Sequence, residues 1–185
     1  MRTRALIVLA VAALALAGCG DHNLVLKVDV LSYFEDAQKN ITVGDVPAGT
    51  LPVPLPIVRD TTISLIDGLN DVTKVTSVTL SLGGHLSVAS GSGSGRFKVY
   101  LSDEATDPLT TAAVMDVPVA FTAAAPATVD ATVAGSPAVA EIFTHKKLRL
   151  AVVLDGATIA APGASNLAVT ISKLDAVVIA GRKGF

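Results

Sequence analysis

Three histidines, one cysteine and a short acidic run are the residues here with types suited to chemistry. His22, His85 and His145 are scattered along the chain, and no two have the spacing of metal ligands on one helix face. Each reads as a solvated or capping residue. His85 follows Gly83-Gly84 in an expected turn or bulge. Serines are plentiful, yet Gly91-Ser92-Gly93 sits in a Ser/Gly run rather than a strand-to-helix elbow, so it offers no preorganised oxyanion site. The acidic run Ser102-Asp103-Glu104-Ala105-Thr106-Asp107-Pro108 could bring Asp103, Glu104 and Asp107 around a Ca²⁺ ion. The spacing is not that of an EF-hand, and a solvated turn is the expectation. No glycine-rich loop follows a strand and opens a helix, which leaves nucleotide binding without support. The catalytic inventory is therefore empty, and the chain reads as non-enzymatic.

The elements that position these residues are written in a period-two alternation. Leu24, Leu26, Val28 and Val30 alternate with a second set that turns charged from Lys27. Val78, Leu80 and Leu82 alternate with Ser77, Thr79 and Ser81. Phe97, Val99 and Leu101 alternate with Arg96, Lys98 and Tyr100. Leu148, Leu150, Val152 and Leu154 form a fourth set, and Leu167, Val169 and Ile171 a fifth. Further strands are expected at 61–66, 114–121, 127–133 and 174–180. These runs are short, rich in Val, Thr and Ile, and bounded by Gly, Pro, Asp and Asn. Asp67-Gly68-Leu69-Asn70-Asp71 and Asp155-Gly156 read as turns. About 8–10 strands with one apolar face each predict an all-β, two-sheet β-sandwich, immunoglobulin-like or jelly-roll-like, formed by residues 24–185 as a single domain.

Three segments break the alternation. Leu51, Val53, Leu55 and Ile57 are interleaved with Pro52, Pro54 and Pro56. The missing N–H groups would all fall on one side, which predicts an edge strand that refuses a further partner. A proline-rich ligand would have period three instead. Ser136-Pro137 is a helix start, Ser at the N-cap and Pro at the first helical position, and predicts a short helix over 137–145. Ile142 or Phe143 would plug one end of the sandwich. The run from Ser90 to Gly95 predicts a flexible hairpin loop.

The amino terminus is of another kind. Arg2 and Arg4 precede residues 5–17, every one of which is Ala, Leu, Ile or Val. That run is too short to span a bilayer, which takes about 20 apolar residues, and suits the hydrophobic region of an export signal. It ends in Leu16-Ala17-Gly18-Cys19, which resembles the lipobox of bacterial lipoprotein precursors. The resemblance implies removal of residues 1–18 as a signal peptide by cleavage between Gly18 and Cys19. It also implies a diacylglycerol group on the sulfur and a fatty acid such as palmitate on the new amino group. Two or more acyl chains give stable anchoring. In a two-membrane host, Gly20 in place of Asp after the anchored residue resembles an outer-membrane lipoprotein facing the periplasm.

Composition narrows the partners. Cys19 is the sole cysteine, so stability must come from packing rather than from disulfides. Loss of Arg2 and Arg4 with the signal takes the formal charge from −2 to −4. That balance offers no basic face for nucleic acid. Five Phe, two Tyr and no Trp weaken a carbohydrate or adhesion module built on ring stacking. Residues 19–23 form the lipidated Cys and a tether of about 14 Å at full extension. The expected protein is thus a membrane-tethered cell-envelope lipoprotein with a structural or protein-binding domain and no other cofactor. A carrier or sensor of an apolar ligand is the alternative.

Overall fold

The structure, a computed structural model, describes residues 23–51, 54–64, 72–161 and 163–182. The signal segment, Cys19, Gly20 and His22 lie outside the described residues, as do Pro52, Val53 and the expected turn at 67–71. Ten strands are described: β1 (Asn23–Asp29), β2 (Asn40–Val46), β3 (Gly49–Thr50), β4 (Leu55–Ser64), β5 (Val72–Val88), β6 (Ser92–Asp103), β7 (Met115–Thr122), β8 (Ala127–Ala134), β9 (Lys147–Ala160) and β10 (Ser165–Arg182). Two short helices, α1 (Asp36–Lys39) and α2 (Pro137–Ile142), and two 3₁₀ turns, Val30–Tyr33 and Pro108–Thr110, complete the set.

The strands make two antiparallel five-stranded sheets. One has the order β1-β10-β5-β8 with β2 also on β10, and the other β3-β9-β6-β7 with β4 also on β9. β1 and β2 line up end to end along β10, and β3 and β4 do the same along β9. Read this way the chain pairs from outside inward: β1/β2 with β10, β3/β4 with β9, β5 with β8, β6 with β7. Such nesting, a long hairpin wrapped into two sheets, is the order of a jelly roll, which decides against the immunoglobulin-like alternative.

The inner faces are the apolar sets read from the alternation. Val78, Leu80, Leu82, Phe97, Val99, Leu101, Leu150, Leu154, Leu167 and Val169 belong to one continuous buried cluster. Two of the longest strands would lose this phase if they were regular. In β10, Leu167, Val169 and Ile171 are buried at odd positions, and Leu174, Ala176, Val178 and Ala180 at even ones. The register skips Ser172, since Ile171 faces Gly84 while Lys173 faces Gly83. One extra residue in a bulge returns the second run to the core side. The two runs expected as separate strands are therefore one. Gly84 is needed there because a Cβ would lie 2.6 Å from the Thr170 carbonyl oxygen. His85 stands exposed in strand β5 beside this bulge rather than in a turn.

Asp155-Gly156 does the same for β9, where buried positions shift from Leu154 to Ala157 and Ile159. Gly156 has φ +57°, and the register slips between Ser94 and Arg96 on the opposing strand. The pair expected to be a turn is a bulge inside a strand, because β6 continues to pair on both sides of it.

Other expectations are corrected in detail. The Ser/Gly run is not a hairpin loop: β6 begins at Ser92, and β5 and β6 lie in different sheets, so only 89–91 crosses between them. Gly93 pairs with Phe121, whose ring would sit 2.4 Å from a Cβ at that position. The glycines let this ring close over the strand. The helix begins where expected, with the Ser136 hydroxyl accepting from the Val139 N–H at 3.3 Å. It ends at Ile142 and is followed by a turn, not at 145. Phe143 is the buried plug. β4 is an edge strand, paired only with β9, and contains Pro56, while Leu51 donates its N–H to the Ala157 carbonyl at 2.7 Å. Residues 30–39, which carry no period-two alternation beyond Val30, leave the sheet between β1 and β2 and return pinned by buried Val30 and Phe34.

Gly93→Ala is expected to lower stability by about 1–3 kcal/mol through overpacking against Phe121. Urea unfolding of this variant beside the exposed-site control Ser94→Ala checks it; equal midpoints would contradict the packing argument.

Candidate functional site: the helix-capped end

One end of the sandwich gathers the first residues of β1, β5 and β9, the last residues of β4, β6, β8 and β10, and α2 between the two sheets. Two open clefts flank the helix. The first, of about 450 Å³, lies between α2 and the 101–114 segment and is lined by Leu101, Thr111, Val114, Ala134, Val139 and Ile142 among others. The second, of about 560 Å³, lies between α2 and the start of β5, with Lys74, Val75, Ser77, Pro137, Ala140 and Glu141 in its walls.

The acidic run stands on the rim of the first cleft, and its three carboxylates do separate work. Asp103 Oδ1 accepts from the N–H groups of Ala105 at 3.0 Å and Thr106 at 2.8 Å. Hydrogen bonding by Thr106, side chain first and then N–H, holds its carboxyl below the ordinary carboxylate range, with the Ala105 N–H adding to it. Asp107 caps the 3₁₀ turn by accepting from the Leu109 N–H at 3.0 Å. Glu104 accepts from the Lys147 ammonium at 2.9 Å. The Thr106 carbonyl takes both the buried Ser102 hydroxyl, at 2.7 Å, and the Arg149 guanidinium, at 3.0 Å. Among the described residues no group of three or more His, Cys, Asp or Glu side chains is placed to share a metal ion. Asp103, Glu104 and Asp107 stand here in a capped, ion-paired turn.

The remaining candidates do not converge. His85 Nδ1 lies 3.3 Å from the Thr128 hydroxyl on the outer face of the first sheet, and His145 follows α2. Ser92 opens β6 at the opposite end.

A feature missed in the sequence lies on the outer face of the second sheet. Arg96 pairs with Asp116 at 2.7 Å, Lys98 with Asp155 at 2.5 Å, and Arg149 with Asp60. The strand register puts Arg96 opposite Asp155 and Lys98 opposite Asp116, so the four alternate in sign across three strands. Ala151 and Val153, at outward positions of β9, are nonetheless buried; their neighbours across β6 are Tyr100 and Lys98. Long charged side chains commonly cover apolar surface with their alkyl stems. The alternation marked these positions as outward, but pairing between residues 57 and 89 positions apart is decided by topology alone.

No family model and no curated protein matches the sequence. Among solved structures, the chain is similar to dimeric latent PorU from Porphyromonas gingivalis, at 9% identity and a TM-score of 0.43, over 88% of this chain and 13% of that one. It is also similar to a structure of infectious bursal disease virus strain Gx, at 16% identity and a TM-score of 0.40, over 89% of this chain and 37% of that one. A third is the N-terminal cellulose-binding domain of β-1,4-glucanase C from Cellulomonas fimi, at 15% identity and a TM-score of 0.32, covering 76% and 90%. The chain thus spans well under half the length of the first two.

Acid is expected to weaken this domain through its ion pairs. The hydrogen bond from Arg149 lowers the Asp60 pKa, the hydrogen bond from Lys98 lowers that of Asp155, and Asp103 is lowered as described. Each stabilising contribution is complete above the unfolded pKa of about 3.9 and is lost as the pH falls through the lower folded value. Melting temperatures measured from neutral to acid should therefore fall below about pH 4, and Asp155→Asn should flatten that fall. Since each carboxylate of the 103–107 turn already has its own donor, millimolar Ca²⁺ is expected to leave the melting temperature unchanged; a clear rise would restore the metal site.

Proposed function

We propose that the chain is a lipid-anchored cell-envelope protein whose jelly-roll domain serves as a non-enzymatic structural or protein-binding body, in a two-membrane host at the periplasmic face of the outer membrane. The observation that carries this reading is the lipobox-like Leu16-Ala17-Gly18-Cys19 standing four residues before Asn23, where β1 begins. The acyl groups on Cys19 would supply the membrane attachment. Among the described residues, no helix is long and apolar enough to cross a membrane.

The shared apolar core supports a body over a carrier. One apolar cluster joins both sheets, including Phe97, Phe121, Leu150, Leu154 and Leu167. A lipid held as in a hollow β-barrel would need that volume. The carrier reading keeps one foothold, the cleft beside α2, whose walls include Ala112, Ala113, Val114, Ala138, Val139 and Ile142. A ligand there would lie in an open surface groove.

Intact-mass analysis of detergent-extracted protein tests the anchor. The expected species begins at Cys19 and carries a diacylglyceryl group and an amide-linked acyl chain. Cys19→Ser is expected to accumulate as full-length precursor without acyl mass. A wild-type chain that begins elsewhere, or carries an unmodified thiol at Cys19, overturns the reading.

A further inference from the structure

We infer that the helix-capped end is itself a membrane-contact surface, where Val25 and Leu109 enter the headgroup region of the bilayer that holds the acylated Cys19. The inference rests on the lipid-anchor reading and adds an orientation to it: α2 and its two clefts face the lipid, and the opposite end faces away.

Four large apolar side chains are exposed among the described residues: Leu24 at 36%, Val25 at 61%, Tyr33 at 41% and Leu109 at 53%. A single exposed hydrophobe is ordinary on a protein surface. The weight lies in where these four stand. Leu24 and Val25 are within the first three residues of β1. Leu109 is in the 3₁₀ turn that follows β6, whose Thr111 hydroxyl donates to the Leu101 carbonyl. Tyr33 directs its hydroxyl to the carbonyl of Ser64, the last residue of β4, at 3.4 Å. All four therefore belong to the end, or the flank beside it, from which the tether leaves.

Val25 also continues an apolar strip. It pairs with Ile179, and Val177 is the next outward position on β10; both are half-buried. The turns at the opposite end, Pro47-Ala48, Ala89-Ser90-Gly91 and Ala123-Ala124-Ala125-Pro126, consist of small residues and proline.

The tether chooses the occupant. Three residues separate Cys19 from Asn23, so the four steps from one to the other reach about 14 Å at full extension. An acylated Cys19 lies at the lipid boundary, so the start of β1 cannot withdraw far from the headgroups. An exposed valine held there is driven into the interface by burial of its own apolar surface. Charge at this end is of mixed sign: Lys27 is paired with Asp175 at 3.3 Å and Lys147 with Glu104 at 2.9 Å, and Lys74, Glu141 and Lys146 are exposed beside α2.

The sole native cysteine would be capped by lipid, so one introduced cysteine can carry a unique label. The processed, acylated protein bearing Leu109→Cys or Ala124→Cys is labelled with an environment-sensitive fluorophore. It is then placed in phosphatidylethanolamine–phosphatidylglycerol vesicles containing a lipid with a nitroxide near its headgroup. Intact mass on the same samples reports acylation of Cys19. The expected result is loss of roughly half the emission or more at residue 109, as insertion of about 5–10 Å would bring, with little loss at residue 124. Equal quenching at both positions on an acylated protein overturns the orientation while leaving the anchor intact. A blue-shifted but unquenched label at 109 marks a protein partner or a second copy instead, and overturns it as well. An unacylated Cys19 removes the anchor reading and this inference with it.

Discussion

The two sheets must present apolar faces to one another along strands as long as β5, β9 and β10, and every other feature is arranged around keeping those faces in phase. A strand reverses which side it shows with each residue, so a single miscount would send half of β10 into solvent. The bulge at Ser172 and the bulge at Asp155-Gly156 each absorb one such miscount. Each sits opposite a place that can accept it: Gly83-Gly84 on β5, and the Ser94–Arg96 slip on β6. With the sole cysteine at residue 19, no disulfide within the described domain can replace this packing. Bulges also increase local twist, which suits long strands that curl around a common core.

That layer explains the rest of the architecture. Edge strands β4 and β7 of the second sheet each contain a proline, Pro56 and Pro118, which deny an incoming strand its full ladder. The excursion at 30–39 and helix α2 are two of the places where the described chain leaves the sheets, the 104–114 segment being another. Each of the first two is pinned by buried apolar side chains, Val30 and Phe34 in one case, Val139, Ala140 and Phe143 in the other. α2 closes the end nearest the tether, so the clefts beside it are by-products of capping an oblong sandwich with a helix of six residues.

Chemical candidates that are suggestive in sequence dissolve into structure here. Asp103, Glu104 and Asp107 lie within five positions, and they build a turn, a cap and an ion pair with Lys147. His85 and His145 are drawn to different parts of the domain. What joins across long sequence distances is a lattice of opposite charges on the outer sheet, Arg96, Asp116, Lys98 and Asp155. It ties neighbouring strands together, and Lys98 stands across from the buried Val153.

By itself the sequence determined the all-β class, the inward set of most strands, the edge nature of the strand that holds Pro56 and the start of α2. These follow from local rules: period-two burial, the missing proline N–H and the N-cap preference of serine. It also carried the lipobox-like motif, which needs no fold to be read. Tertiary structure decided what local rules cannot count. It joined 167–171 to 174–180 through a bulge, turned Asp155-Gly156 from a turn into part of β9, and set Gly93 under Phe121. It also chose the nested order of a jelly roll. The physical reason is the same in each case: which strand lies opposite is fixed by burying the whole apolar layer at once, and no window of neighbouring residues contains that sum.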